Sequence, residues 1–421
     1  MKSINLFLQK YWYVLLAILL LTVVISIKEA LTQNANGDPY IYWAVGKKFL
    51  TGQPLYEPVA GSQEFLYPPI AGLFCQLLAL IPFPFAVGIF TFINFIAWLV
   101  LIGLTYKFLN YYFPHQSYKT ALIVGLIATA RYFWHNIVWV NVNELVALLS
   151  FGGLYMYLRN RLIIGLGFLS LAMWIKVMPL LLILMLFIRR PRQTFWAVLG
   201  YSALFTVILF AFRGVGQGIQ DYQDYWQITF RPFLLEGKVF TDWIAFGISA
   251  LLSKLLTAHP DINGIRYNIV SWPPAMVGQL SFLFRLLIVC LTYGSIWLNR
   301  KYRPLPLTNI LLVVIAMLLV SGVAWEGHHL TLLLVVSGLY LLTTELTMYV
   351  LRRILVVSSL GVSLLISDLI GSHWSDYLQA FSLITYNVLL LFGIGLAVSH
   401  QFTKQLNVNR IRQSTIQQVA R

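Results

Sequence analysis

Asp38 stands where a carboxylate could act on a lipid headgroup, at the start of a candidate helix within the long polar segment 34–69. Pro39 suits the first helical position, and Lys47 and Lys48 lie on the polar side of the same amphipathic segment. Such a helix lies along a membrane surface and keeps its amino-terminal carboxylate near the lipid but in water. The alternative interpretation is that Asp38 only caps the helix.

A lysine and two histidines interrupt apolar sequence further along the chain. Lys176, in WIKVMP, could neutralise a phosphate, because an ionisable residue at membrane depth is costly and by default a functional candidate; the alternative is that it extends to the headgroups. His328 and His329, in WEGHH, could donate hydrogen bonds to a phosphate or sugar, or be solvated at the interface. Adjacent residues on a helix diverge by about 100°, so no metal site is predicted.

Other polar and aromatic residues are weaker candidates for binding a sugar. Asn141, Asn143 and Glu144 could bind sugar hydroxyls, although asparagines also cap helices well. Trp325 could stack on a sugar ring, although tryptophans also form belts at membrane interfaces. None of these residues is specific alone.

The composition requires a membrane environment for these residues. The 421-residue chain is 59% hydrophobic and 10% charged, with a mean hydropathy of +0.78, which excludes an ordinary soluble domain. Its apolar runs have helix length, so an all-α polytopic membrane protein is predicted and a barrel is excluded. The two cysteines lie in apolar runs and form no disulfide framework. The net charge of +15 is explained by membrane topology, and no nucleic-acid partner is predicted.

Apolar runs predict twelve membrane spans and a single domain over residues 1–403. The spans lie at 11–28, 84–106, 120–134, 141–158, 162–175, 177–188, 195–212, 276–298, 307–323, 330–349, 354–367 and 379–399. The first is predicted to be a retained anchor, and the short run 70–82 a helix against the membrane or dipping into it. Segment 213–275 contains TDWIAFGISALLSKLL, predicted to be a second interfacial helix.

The charge distribution predicts which side faces the cytoplasm. With a cytoplasmic N-terminus, eighteen of the 29 lysines and arginines fall on the inner side, but of the 14 acidic residues only Glu345 does. Both termini and the basic tail 404–421 are therefore predicted to be cytoplasmic. The long segments 29–83 and 213–275, and all candidate site residues, are predicted to lie at the outer face.

Several motifs together resemble glycosyltransferase family 87, over roughly residues 10–400. They are Asp38 in the first loop, GQPLY at 52–56, FLYPP at 65–69, Asn141-x-Asn143, Lys176-x-x-Pro179 and Trp325-x-x-His328-His329. The resemblance implies the multi-span glycosyltransferase C fold and a polyprenyl-phosphate sugar donor, with a hexose such as mannose. The acceptor would be a glycolipid or envelope glycan at the outer face of a bacterial cytoplasmic membrane. The chain has no phosphate loop or dinucleotide fingerprint, which disfavours a soluble nucleotide donor.

The resemblance also implies roles for individual residues. Asp38 matches the acidic residue proposed as general base, and Lys176 with one histidine would stabilise the departing phosphate during inverting transfer, without a metal or other cofactor. The residues expected to bind substrate or phosphate are Tyr67, Asn141, Asn143, Glu144, Lys176, Trp325, Glu326, His328 and His329. Trp139 and Val140 before the asparagine motif, and Glu144 after it, depart from the family pattern.

Two other functions fit the same span count. A twelve-helix secondary transporter would have both termini inside, but transporters place polar residues near the middle of broken helices in repeated halves. Here the charges are expected in the outer segments instead of mid-span, which favours the enzyme. A non-catalytic scaffold that handles lipids would make Asp38 replaceable.

Overall fold

The computed structural model is nearly all-α. It describes residues 37–58, 64–234, 236, 242, 244–258, 267–302, 304–322 and 324–419, together with scattered residues between 12 and 31. Side chains are described as far as residue 405. The predicted anchor at 11–28 is therefore described only at scattered residues, and the side chains of most of the basic tail lie outside the described residues.

The polar segment contains the helix predicted from Asp38, and the structure confirms it as α1 (Asp38–Leu50). The predicted helix at 70–82 is α2 (Ala71–Ala79), which packs directly on α1. Gly46 permits the close approach, because a Cβ there would lie 2.1 Å from the carbonyl oxygen of Cys75. The first loop is thus a packed helical pair that positions Asp38.

A helix coincides with each predicted span from residue 84 onward. These are α3 (Phe83–Tyr112), α4 (Lys119–Trp139), α5 (Asn143–Leu158), α6 (Leu162–Ile175), α7 (Leu180–Arg189), α8 (Pro191–Arg213), α12 (Pro274–Leu298), α13 (Leu307–Val320), α14 (Leu332–Glu345), α15 (Tyr349–Leu365) and α17 (Leu383–Val419). Six helical segments within the described residues are long and apolar enough to cross a membrane. The protein is therefore a multi-pass membrane protein, and the count of twelve spans stays a prediction.

The central helices α13 and α14 are buried over nearly their whole length, whereas α8 and α12 keep apolar side chains exposed. Close helix packing depends on small residues, as in α5 and α6, where a Cβ on Gly153 would lie 2.7 Å from the carbonyl oxygen of Gly165. Helices with exposed apolar faces are the ones expected to contact lipid.

The segment after α8 differs from its prediction. It contains α9 (Val215–Tyr225), a π-helical turn (Trp226–Phe230), α10 (Arg231–Leu234), β1 (Ala245–Phe246) and α11 (Ile248–Leu256). The expected helix over residues 241–256 is wrong at its start, because β1 pairs antiparallel with β2 (Ala324–Trp325). Gly247, at a φ of +99°, then turns the chain into α11. Later come a 3₁₀ segment (Glu326–Thr331), a short 3₁₀ turn (Asp368–Ile370) and α16 (Ser372–Ala380).

Candidate active site

Asp38 is the first residue of α1, and Gly37 precedes it as the N-cap. No side chain of the described residues caps this helix, so the capping interpretation of Asp38 does not describe its contacts. Instead, Asp38 Oδ2 accepts a hydrogen bond from Asn141 Nδ2 at 2.5 Å. Asn141 follows Val140, which ends α4 in a left-handed conformation at a φ of +46°. The break between α4 and α5 thus presents an amide to the carboxylate.

Lys176 follows the last residue of α6 and lies in the turn that leads to α7. Its Nζ donates to Asn143 Oδ1 at 2.8 Å and lies 5.4 Å from the ring centre of Tyr67. The ammonium is also within electrostatic reach of two carboxylates, those of Asp38 and Glu144. A cation and an acid from distant parts of the chain therefore share one environment.

A hydrogen-bonded chain of amides stands behind this pair. Asn143 Nδ2 donates to Asn136 Oδ1 at 2.8 Å, and Asn136 Nδ2 donates to the carbonyl oxygen of Gly327 at 2.8 Å. A Cβ on Gly327 would lie 2.1 Å from Asn136 Oδ1, so this contact requires glycine. This hydrogen-bonded chain of amides connects α4, α5 and the 3₁₀ segment around Lys176. The sequence interpretation missed Asn136, whose only signal is an amide inside an apolar helix.

The two histidines have different surroundings. His328 Nδ1 lies 2.9 Å from the backbone nitrogen of Trp325 and 3.1 Å from its carbonyl oxygen, so this ring nitrogen is fixed against the backbone. His328 Nε2 is buried and has no hydrogen-bond partner within the described part of the chain. His329 instead packs between Tyr132 and Phe246, with ring centres 5.3 and 5.7 Å away. His328 is therefore the histidine whose second ring nitrogen is available to a ligand.

A cavity of about 600 Å³ collects half of the predicted residues. Its lining includes Asp38, Tyr67, Lys176, Trp325 and His328. The other predicted residues, Asn141, Asn143, Glu144, Glu326 and His329, are buried but do not line this cavity.

These buried residues contact other protein groups. Glu326, for example, forms a 2.9 Å ion pair with Arg131, and its other carboxylate oxygen lies 2.9 Å from His135 Nδ1. Asn141 Oδ1 accepts a hydrogen bond from the backbone N–H of Val142, the N-cap of α5, at 2.8 Å. Asn141, Asn143 and His329 likewise have protein partners, whereas neither carboxylate oxygen of Glu144 has a hydrogen-bond partner among the described residues.

Arg285, on α12, lines the same cavity and was missed by the sequence interpretation. It is half-buried, and its Nε donates to the carbonyl oxygen of Ser281 in the same helix at 3.4 Å. Asp242 and Tyr225 also line the cavity. The signal for Arg285 was available, because it is an ionisable residue inside the predicted span 276–298. The expectation that mid-span positions lack charges is therefore wrong for this residue.

The electrostatics of the cavity favour proton exchange at Asp38. Burial raises the pKa of the Asp38 carboxyl above its usual value of 3.8, although Lys176, His135 and the bond from Asn141 oppose this. Burial likewise lowers the pKa of Lys176 below 10.5, and the carboxylates of Asp38 and Glu144 oppose that shift. In the described residues no group of three histidine, cysteine or acidic side chains is arranged to hold a metal.

The comparisons with known proteins point to one family. The sequence model of glycosyltransferase family 87 matches residues 65–322. This segment contains Tyr67, Lys176 and Arg285, but it begins after Asp38 and ends before His328. No curated protein and no solved structure matches the chain.

Proposed function

The chain belongs to glycosyltransferase family 87, and from this premise we propose that it transfers a sugar from a polyprenyl-phosphate donor to a glycolipid or envelope glycan. Family membership makes the protein a membrane glycosyltransferase. The donor class, a hexose such as mannose, the acceptor and the location at the outer face of a bacterial cytoplasmic membrane are our proposals. They rest on the motif resemblance and on the predicted topology.

In the proposed reaction, Asp38 is the general base. It takes the proton from the acceptor hydroxyl while that oxygen attacks the anomeric carbon. The bond from this carbon to the donor phosphate breaks, and the lipid phosphate leaves with the electron pair. The configuration of the sugar is inverted, because attack and departure occur on opposite faces. A raised pKa supports this role, since a stronger base accepts a proton more readily.

Positive charge and hydrogen-bond donors on the cavity wall would stabilise the departing phosphate. Lys176 lies at the Asp38 end, and His328 would donate from Nε2, which has no hydrogen-bond partner among the described residues. Arg285 supplies a second cation from α12, where a lipid-linked donor would enter from the membrane. Because a monoester phosphate gains negative charge as it leaves, these groups would favour the transition state over the ground state.

The observation that carries the proposal is the convergence of Asp38, Lys176, His328 and Arg285 on one cavity in a member of a glycosyltransferase family. A secondary transporter needs no such acid beside a phosphate-binding group. The buried hydrogen bonds from Lys176 to Asn143 and from Asn143 to Asn136 also favour a site of fixed geometry.

The test is transfer of radiolabelled sugar from synthetic undecaprenyl-phosphate sugars to a membrane lipid extract. Replacing Asp38 by Asn is expected to lower transfer by about 10²–10⁴-fold, the usual contribution of a general base. In the same assay, Arg285→Gln is expected to raise the donor concentration needed for half-maximal transfer. Glu57→Gln, at an exposed residue of the same loop, is the matched control and should leave transfer unchanged.

Two results would contradict the proposal. Equal transfer by Asp38→Asn and Glu57→Gln would show that Asp38 is not the general base. If gel filtration confirms folded protein but no lipid-linked donor supports transfer, a polyprenyl-phosphate sugar is excluded as the donor. Transport or scaffolding would then be favoured.

A further inference from the structure

A second concave site lies at the other ends of α6 and α7. It is an open cleft between the α5–α6 and α7–α8 connections, lined by Asn160, Arg161, Arg190, Arg192 and Trp196 among other residues. Arg161 precedes the first residue of α6, whereas Lys176 follows its last residue. The 14 residues of α6 therefore separate this arginine cleft from the candidate active site, by about 21 Å along the helix axis.

The arginine cleft carries positive charge that the described residues do not neutralise. No acidic residue is found in its described lining, and none of Arg161, Arg190 and Arg192 forms an ion pair within the described part of the chain. The guanidinium of Arg190 lies 5.7 Å from the ring centre of Tyr157. Both α6 and α8 also begin here, which adds the positive ends of two helix dipoles. The site is therefore suited to an anion.

Apolar surface adjoins these charges on α8. Phe195, Trp196 and Leu199 are 50%, 66% and 48% exposed on the first three turns of that helix. A soluble phosphate would leave this apolar surface uncovered, whereas lipid acyl chains would cover it. The aromatic ring of Trp196 suits the boundary between headgroups and chains.

We propose that the arginine cleft binds the phosphate headgroup of an anionic phospholipid, whose acyl chains lie along the exposed face of α8. The predicted topology places the cleft at the cytoplasmic leaflet, where anionic lipids are concentrated. Three arginines that form no ion pair with the described residues would, in a concave site, hold one phosphodiester more specifically than a general basic surface can. Phospholipid binding at the arginine cleft is independent of the proposed sugar transfer, and a binding measurement alone tests it.

The test is native mass spectrometry of the full-length protein released from micelles that contain either phosphatidylglycerol or phosphatidylcholine. The intact protein is expected to retain one phosphatidylglycerol in preference to phosphatidylcholine. The double variant Arg161→Gln/Arg192→Gln should bind phosphatidylglycerol about thirty-fold more weakly, because each cation near an anionic lipid contributes about a factor of five to ten.

The matched control is Arg300→Gln/Lys301→Gln, which removes equal charge from the same predicted face outside the cleft. It should keep the bound phosphatidylglycerol. Equal losses in the two double variants would overturn the proposal in favour of a general attraction of basic loops to anionic lipid. Displacement of the lipid by millimolar inorganic phosphate, with no preference between the two lipids, would also overturn it. Unchanged gel-filtration profiles exclude misfolding as the cause.

Discussion

Asp38 is held by residues that are far apart in sequence. Asn141, from the break between α4 and α5, donates to its carboxylate, and Lys176, after α6, supplies the nearby charge. Asn143 in turn holds the Lys176 ammonium at 2.8 Å. The hydrogen bond from Asn141 gives the carboxylate one orientation, which general-base catalysis requires, and Lys176 acts on it at electrostatic range.

These contacts lead to a specific pH dependence of transfer. The rate should fall as the pH drops through the raised pKa of Asp38, because a protonated carboxyl cannot accept a proton. It should fall again as the pH rises through the lowered pKa of Lys176, because a neutral amine no longer stabilises a phosphate. The acid and alkaline limbs of the pH profile should therefore lie closer together than the ordinary pKa values of 3.8 and 10.5. The measurement is kcat/KM against pH.

Lys176→Arg is the control for the alkaline limb. A guanidinium does not titrate in this range, so the limb should move to higher pH if any activity remains. An alkaline limb that stays in place in this variant would assign it to another group.

At the scale of single residues, sequence reasoning identified groups that interrupt apolar sequence but could not determine their partners. Lys176 was predicted as a candidate because an ammonium at membrane depth is costly. Asn136 was missed, since its role depends on contacts with Asn143 and Gly327 that only the packed helices create. The same limit applies to Glu326, whose ion pair with Arg131 places it behind the cavity.

At the scale of elements, Arg213 joins the two long polar segments. It ends α8 and forms a fully buried ion pair with Asp221 of α9 at 2.8 Å. The same guanidinium donates to the carbonyl oxygen of Gln53 at 2.8 Å, just beyond α1. The end of the helix that carries Asp38 is therefore attached to the α8–α9 corner.

Breaking this pair is expected to destabilise the protein strongly. Asp221→Asn leaves Arg213 charged and buried without its carboxylate, which costs about 3–5 kcal/mol. The comparison is Glu236→Gln, which removes the exposed pair with Arg231, where the two side chains are 50% and 51% exposed. That change should cost at most about 1 kcal/mol. Thermal unfolding in detergent measures both, and similar losses in the two variants would contradict the structural role of the buried pair.

Local sequence patterns predicted the positions of helices better than they predicted the contacts between elements. Runs of apolar residues gave the positions of α3 to α8 because a membrane-length helix leaves a continuous signal. The pairing of β1 with β2 left no such signal, since the strands are two residues long and about eighty residues apart. TDWIAFGISALLSKLL was accordingly taken as one helix, although Gly247 marks the turn within it.

At the scale of the whole molecule, the side of the membrane that each loop faces is predicted from charge and not from packing. The helices fix which loops share one end of the bundle, as Asp38 and Lys176 do at the cavity. The bundle itself is the same whichever end is outside, so orientation rests on the excess of basic residues in the loops with Arg161, Arg190 and Lys301. The proposed use of an outer-face donor depends on this assignment.

Cysteine labelling in intact cells tests that orientation. The native Cys75 and Cys290 are first replaced by Ala, and a single cysteine is placed at exposed Gln53 or at exposed Lys301. A membrane-impermeant maleimide is expected to label Gln53→Cys in intact cells, because the first polar segment is predicted to be outside. Lys301→Cys should react only after the membrane is permeabilised, and retained sugar transfer shows that both variants fold. The reverse pattern would place Asp38 in the cytoplasm, and the donor would then have to present its sugar on the inner leaflet.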